Sequence, residues 1–345
     1  MLHFSPFASA IAVPLLLPWP LSRNWQRLAH ELRYYNLEAA QLDERLRPAE
    51  PHYRLVLVGG GNAAGPDPSQ WLQCFDDKAW GWGRLQDMGI DRPNRCGAAA
   101  VGTYLYAFGG EVEAVEEPAC MTVYNMASRK MAEGARLPRA LYSCSGVACG
   151  GLVYSMGGKD AVLVECVADM CTYNPELDSW VPGLPLPFAV GGMAAAEHMG
   201  SIYACGGTLE DGTRSAALLM LDPRTRAYTT LPKMPTPAKA GAAVVSGRMY
   251  VPGGIPAAGR TVSSLLQCYD MAAGRWDTSC APLAEARHSH GVAALHGEVL
   301  AVGGWNGDSV GLASVEVYSP RLNTWRAGVP LPHSCFNGTC TVVHS

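Results

Sequence analysis

Twelve cysteines and nine histidines make thiolate, imidazole and metal chemistry the first to weigh in this chain. Cys74, Cys120, Cys166, Cys171, Cys205 and Cys268 fall inside apolar, strand-like runs. No two cysteines stand as Cys-x-x-Cys. The pairs Cys144/Cys149, Cys166/Cys171 and Cys335/Cys340 are each separated by four residues, which fits no common zinc pattern. They read as free thiols packed as small hydrophobes, which suits a reducing compartment. The sharpest imidazole pair is His288 and His290. Strand alternation would put both on one face, as metal ligands, as an acid–base pair, or as lining of a solvated channel mouth. His333 and His344 lie farther along, and copper would need more ligands than these. There is no Gly-x-Ser-x-Gly elbow, phosphate loop or His-Glu-x-x-His. Gly59-Gly60-Gly61 follows a strand but opens no helix. The expectation is a non-catalytic chain without metal or cofactor.

The elements that would position these groups are short strands. Hydrophobic residues make up 48% of the 345 residues and charged ones 16%, so the chain can bury a large core. A net charge of −4 gives no nucleic-acid surface. Residues 10–21, AIAVPLLLPWPL, are too short and proline-rich for a membrane span, and no basic residue precedes them, so a secretory signal is poorly formed. Residues 1–23 read as an irregular apolar segment. Over 24–50, Trp25, Leu28, Leu32, Tyr35, Ala39, Leu42 and Leu46 form one apolar stripe at helical spacing, with Asn24 as N-cap and Pro48 as stop. The stripe belongs to a helix packed on the domain that follows, or to the remnant of a larger helical domain. Residues 51–345 are the main domain, and a cytoplasmic location is expected.

Within that domain six double glycines recur at intervals of 50, 48, 49, 47 and 50 residues: Gly59-Gly60, Gly109-Gly110, Gly157-Gly158, Gly206-Gly207, Gly253-Gly254 and Gly303-Gly304. Each closes a strand (TYLYAFGG, LVYSMGG, SIYACGG) that follows a strand of small residues. Downstream of each comes a pair of large residues seven apart: Phe75/Trp82, Tyr124/Met131, Tyr173/Trp180, Leu221/Tyr228, Tyr269/Trp276 and Tyr318/Trp325. Turn sequences such as NPELDS and DPRTRA separate the members. Four short antiparallel strands repeated six times give an all-β, six-bladed propeller. The first copy lacks a small-residue strand before it, whereas GTCTVVH from Gly338 has no blade of its own. Placing that strand beside LVLVGG completes the first blade and removes an open sheet edge.

The double glycine with Tyr and Trp at these offsets resembles the kelch repeat, over roughly residues 53–345. Met131 in the second copy and Leu221/Tyr228 in the fourth depart from the pattern and are expected to weaken their blades without abolishing them. A kelch-fold copper oxidase is similar in fold only; its set of histidines, tyrosines and a crosslinked cysteine has no counterpart motif here. The segment LAHELRYYNLEAAQLDERLRPAEPHYRLVLVGGG resembles the end of a BACK domain. That likeness points to the BTB–BACK–kelch (kelch-like) proteins, which serve as substrate receptors for cullin-RING ubiquitin ligases. A complete BTB–BACK region is absent from the sequence, so ligase binding would come through a longer form.

Function is then expected in residues that do not repeat. Counting back fourteen from each first glycine gives Arg95, Ser143, Gly192, Lys239 and Ser289, with Phe336 as the counterpart on the closing strand. These should ring one end of the central channel, widened by Tyr142, Phe188, Arg287, His288 and His290. Basic, hydroxyl and aromatic groups around a concavity suit a protein segment bearing acidic or polar side chains. The loops after the double glycines, beginning Asn62, Glu111, Lys159, Thr208, Ile255 and Trp305, form a second candidate surface, and Trp305 either anchors a partner or packs between blades. The leading expectation is a protein-binding propeller. A kelch-scaffold enzyme (a sugar isomerase or oxidase) and a cytoskeleton-binding protein are the alternatives.

Overall fold

The computed structural model describes residues 53–61, 71–76, 81–87, 94–110, 121–256, 261–307 and 311–344. The apolar segment 1–23 and the helical stripe of 24–50 lie outside them. The described residues form strands and turns, with no α-helix.

Six four-stranded antiparallel sheets follow one another along the chain. Blade two is typical: Gly97–Val101 innermost, then Tyr104–Phe108, Met121–Asn125 and Lys130–Gly134 at the rim. The innermost strands of blades three to six are Ser145–Cys149, Ala194–His198, Ala243–Val245 and Gly291–Leu295. Blade one is assembled from both ends of the domain. Tyr53–Val58 pairs with Trp71–Asp76 on one side and with Thr339–His344 on the other, Tyr53 opposite His344 and Val58 opposite Thr339. The closing strand is therefore where the sequence places it, and the innermost strands neighbour one another around an unbroken ring.

The glycines let the chain come this close. All twelve members of the double-glycine pairs have positive φ, between 58° and 121°. Without a Cβ they adopt it at no steric cost. From Gly109-Gly110 onward the second glycine donates its N–H to the carbonyl of the residue that leads into the next inner strand: Gly110 to Leu141, Gly158 to Val190, Gly207 to Ala238, Gly254 to Arg287 and Gly304 to Cys335, at 2.7–3.0 Å. A Cβ on Gly146, at the head of the blade-three inner strand, would lie 2.5 Å from the Ala98 carbonyl oxygen of blade two.

The aromatic pairs do more than fill space. Tyr173 and Trp180 face each other across blade three. The Trp180 indole donates to the Ala135 carbonyl of the preceding blade at 3.0 Å. Asp178, in the turn between the two strands, accepts from the Tyr173 hydroxyl (2.8 Å) and from the Ala135 amide (2.7 Å). One residue of the preceding blade is thus held at both of its backbone groups. Blade six repeats the clasp on Ala281 with Trp325, Tyr318 and Asn323. Trp276 reaches Pro232, and Trp82 reaches Val329 across the closing seam. In blade four Tyr228, opposite Leu221, donates its phenol to the Leu184 carbonyl at 3.0 Å, so the departure from Trp keeps the link. Met131, opposite Tyr124, has no such donor.

The core divides into clusters along the seams between blades. Eleven cysteines are described, nine of them buried; Cys120 lies outside the described residues. Burial pushes Cys171 to about 11, and Cys205 and Cys268 to about 12. These are core-packing groups with no thiolate character at neutral pH.

Candidate functional site

The residues at one end of the channel form a regular turn. In five of the six blades a described residue leading into the inner strand bridges to the residue just past the double glycine: Phe336 to Gly61, Tyr142 to Lys159, Gly191 to Thr208, Lys239 to Ile255 and His288 to Trp305. The following residue then takes a left-handed backbone: Asn337, Arg95, Ser143, Gly192 and Ser289, with φ between 52° and 67°. Successive members are joined by backbone hydrogen bonds. Asn337 donates to Ser289, Arg95 to Asn337, Ser143 to Arg95 and Gly192 to Ser143, at 2.7–3.1 Å.

This register corrects two sequence assignments. Lys239 and Phe336 are not members of the Arg95–Ser143–Gly192–Ser289 set. They occupy the preceding, bridging position with Tyr142 and His288. The true counterpart of Ser143 on the closing strand is Asn337. Blade five has one residue fewer in this turn, and Ala240 after Lys239 is not left-handed. A fixed count from the double glycine passes over that deletion.

The bridges also merge what the sequence presents as two surfaces. Loops after the double glycines and turns before the inner strands share one rim. Asn62 and Glu111 lie outside the described residues.

Burial sorts the expected site residues. Arg287 has no exposed surface, and His290 is 5% exposed, so neither is available to a partner. The Arg287 guanidinium donates to the carbonyls of Gly303 and Ser314, to the Ser314 hydroxyl and to Glu316, the last at 2.7 Å. Glu316 in turn accepts the amides of Ala284 and Glu285. Arg287 is a framework residue. His290 sits behind the rim, and desolvation first, then Arg287 and His288, drive its pKa down to about 3. The expected alternation of His288 and His290 on one face fails because left-handed Ser289 turns the chain between them. His288 reaches the rim and His290 the interior, so they form no pair. Among the described residues no group of three or more His, Cys, Asp or Glu is arranged to hold a metal.

Phe188 packs against the core between blades three and four. Tyr142 and Ser143 are nearly buried in the rim turn. Arg95, Lys239, His288, Ser289, Trp305 and Phe336 keep partial exposure.

What they build has two parts. Over blade four, Gly191 and Gly192 form a cationic notch only in the sense that their missing side chains let lysines from the flanking blades lie across them. A Cβ on Gly191 would meet Lys159 Cγ at 3.0 Å, and one on Gly192 would meet Lys239 Cε at 2.6 Å. Arg214 completes the wall, donating to the Thr208 hydroxyl at 2.6 Å. Beside the notch lies an aromatic shelf. The Trp305 ring stands 5.6 Å from His288 and 6.0 Å from Phe336, and Trp305 remains 37% exposed. Trp305 therefore stacks on its neighbours and still faces solvent. Burial first, then Lys239 and Arg214, hold the His288 pKa down to about 4, so the imidazole is neutral and the positive charge at the rim belongs to the longer side chains.

Sequence reasoning passes over one more feature. Beyond Lys159 the chain exposes Val162, Leu163 and Val164 in succession. Val164 has φ of 60°, an outlier for a β-branched residue. It is held there by its amide on the Asp160 carbonyl, while the Asp160 carboxylate accepts the amides of Val162 (2.8 Å) and Leu163 (2.9 Å). Those bonds, Leu163 first, with Arg139 nearby, keep the Asp160 carboxyl below its usual range. The signal in the sequence is the run of three large aliphatic residues in a loop otherwise expected to be polar.

Comparison with known proteins follows the geometry. The Kelch motif matches residues 286–332. The chain is 26% identical to Kelch-like protein terF of Aspergillus terreus over 73% of its own length and 60% of the relative's. It is also 26% identical to Kelch-like protein 23 of Homo sapiens, over 72% of its own length and 44% of the relative's. It thus spans about half the length of these relatives. A solved structure, that of YjhT, superposes with a TM-score of 0.65 over 81% of this chain and 98% of that one, at 14% identity, a likeness of fold. Six blades, a closing strand and the Tyr–Trp clasps make the described domain a six-bladed β-propeller that carries a Kelch motif at residues 286–332 and is similar in sequence to kelch-like proteins.

Proposed function

We propose that the propeller is a non-catalytic protein-interaction module that holds an extended protein segment across the rim of blades three to six. The observation that carries this reading is the cationic notch of Lys159, Arg214 and Lys239 over Gly191-Gly192. It is flanked by the Trp305 shelf on one side and the Val162–Leu163–Val164 tip on the other. Lysine and arginine at a concavity bind carboxylates, and exposed aromatic and aliphatic groups supply desolvated anchors. The fitting segment carries acidic side chains next to at least one large apolar residue. The similarity to kelch-like proteins supports a finer role, that of substrate-recognition propeller for a cullin-RING ubiquitin ligase in the cytoplasm, the ligase being engaged through a longer form.

The test is proximity labelling with the wild type and with a Lys239→Ala/Arg214→Ala variant. Partners lost by the variant, with acidic segments that bind the purified chain and weaken as salt rises, are the expected result. Full retention of partners by the folded variant removes the rim from the reading. Absence of any cullin among partners of the longer form removes the ligase role.

A further inference from the structure

A cavity lies away from the rim, in the seam where blade six meets blade one. It measures about 410 Å³ and is walled by Phe75, Trp82, Leu295, Leu300, Val315 and Val317. His296, Glu298 and Arg326 stand around its mouth. The repeat explains why the space is there. Three residues before the first glycine of each pair, blades two to five carry Tyr106, Tyr154, Tyr203 and Tyr250. These rings enter the seam with the following blade: Tyr106 lies 5.6 Å from Tyr173, and Tyr250 lies 5.6 Å from Tyr318. Blade six has Leu300 at that position, facing Phe75, the blade-one counterpart of Tyr173 and Tyr318. A second repeat position shrinks at the same seam. The buried residue that begins the third strand's core face is Leu72, Met121, Met170, Leu218 and Leu266 in blades one to five, and Val315 in blade six. Blade one also lacks the tyrosine, but Val56 there is fully buried in a cluster that includes Leu85 and Met131.

We propose that this seam is a binding site for a small neutral planar aromatic molecule of one or two rings. The missing group is itself a phenol ring. The wall facing Leu300 is an aromatic pair from blade one, Phe75 and Trp82, whose centroids are 5.6 Å apart. The Trp82 indole is fixed by its hydrogen bond to the Val329 carbonyl at 2.9 Å, so this wall is preformed. The charges at the mouth neutralise each other, Arg326 on Glu298 at 2.6 Å, and leave no unmatched charge to select an ion. Apolar cavities of roughly 150 Å³ already hold benzene, and small-molecule pockets begin near about 300 Å³. The site is independent of the rim and of the partner proposed for it.

Indole and phenol are the probes, with saturation-transfer NMR and titration calorimetry on the full chain as readouts. The wild type is expected to bind indole saturably at one site. Leu300→Tyr supplies the ring of blades two to five, so it should raise the melting temperature and weaken indole at least about tenfold. Val315→Met narrows the same space and serves if the tyrosine variant does not fold. Lys239→Ala, at the rim, should leave indole binding unchanged. Absence of saturable binding to the wild type overturns the proposal, as does unaltered binding by a folded Leu300→Tyr or Val315→Met chain.

Discussion

Arg287 permits a sharp test of how blade six is held. Its guanidinium is fully buried and lies 2.7 Å from a Glu316 carboxylate oxygen that is itself 8% exposed. At an effective dielectric of about 20 that separation is worth roughly 6 kcal/mol of gross attraction, most of it offset by desolvating two ions. Removing one partner leaves the other charged and buried, at a cost of about 3–5 kcal/mol. Blade five shows how the position works without charge. Ala238 stands where Arg287 does, and Gln267, the counterpart of Glu316, accepts the Thr236 amide at 2.9 Å and donates to its carbonyl at 3.0 Å. Arg287→Leu alone is therefore expected to lose about 3–5 kcal/mol, which is roughly 10 °C in melting temperature for a domain of this size. Arg287→Leu/Glu316→Gln converts blade six to the neutral arrangement of blade five and should recover at least about 2 kcal/mol of that loss, because no buried charge is left unpaired. Urea unfolding followed by tryptophan fluorescence gives both numbers. A single variant within about 1 kcal/mol of wild type, or a double variant no more stable than the single, would refute the reasoning.

Other expected outcomes follow from the same geometry. His290 ionises near its ordinary pKa of about 6.5 when unfolded but only near about 3 when folded, so between those values the unfolded chain binds the extra proton and stability falls as the solution is acidified. Going from pH 7 to pH 5 should cost about 2 kcal/mol through this residue, and His290→Met should flatten that part of the stability profile; an unchanged profile contradicts the assignment. Trp325→Phe strips the donor from the Ala281 carbonyl and should cost about 1–2 kcal/mol in denaturant melts. Deletion of residues 335–345 removes the inner strand of blade one and should unfold or aggregate the domain; a truncated monomer melting at the parent temperature would disprove closure by that strand. An acidic peptide seated against Lys239 and Arg214 should raise the His288 pKa from about 4, which an imidazole NMR titration would detect.

The scaffold was legible because its constraints repeat. Gly303-Gly304, Tyr318 and Trp325 are each required by backbone geometry or by a clasp, and six copies expose the requirement. Closure was legible as well, since GTCTVVH is an unpaired strand in sequence terms. The rim was only partly readable. Counting cannot see a deletion in the turn after Lys239, and it cannot see that left-handed Ser289 sends His288 and His290 to opposite environments. Arg287 looks like a surface cation until Glu316, twenty-nine residues away, is brought against it. Lys159 was marked only as the start of a loop, and Arg214 lacked any signal, because their meeting over Gly191-Gly192 depends on three blades at once.

The join between Tyr53–Val58 and Thr339–His344 also sets a clock. At roughly 5–20 residues per second the partner of the first strand is synthesised about 15–60 seconds after it. Blades two to six can fold as they appear, each docking on the one before. Blade one waits throughout that interval with Leu55 and Leu57 lacking their final cover and with one row of backbone groups open. The nascent chain is thus most exposed to misassociation at its oldest blade, and a chaperone that delays association until the last strand is made would act there.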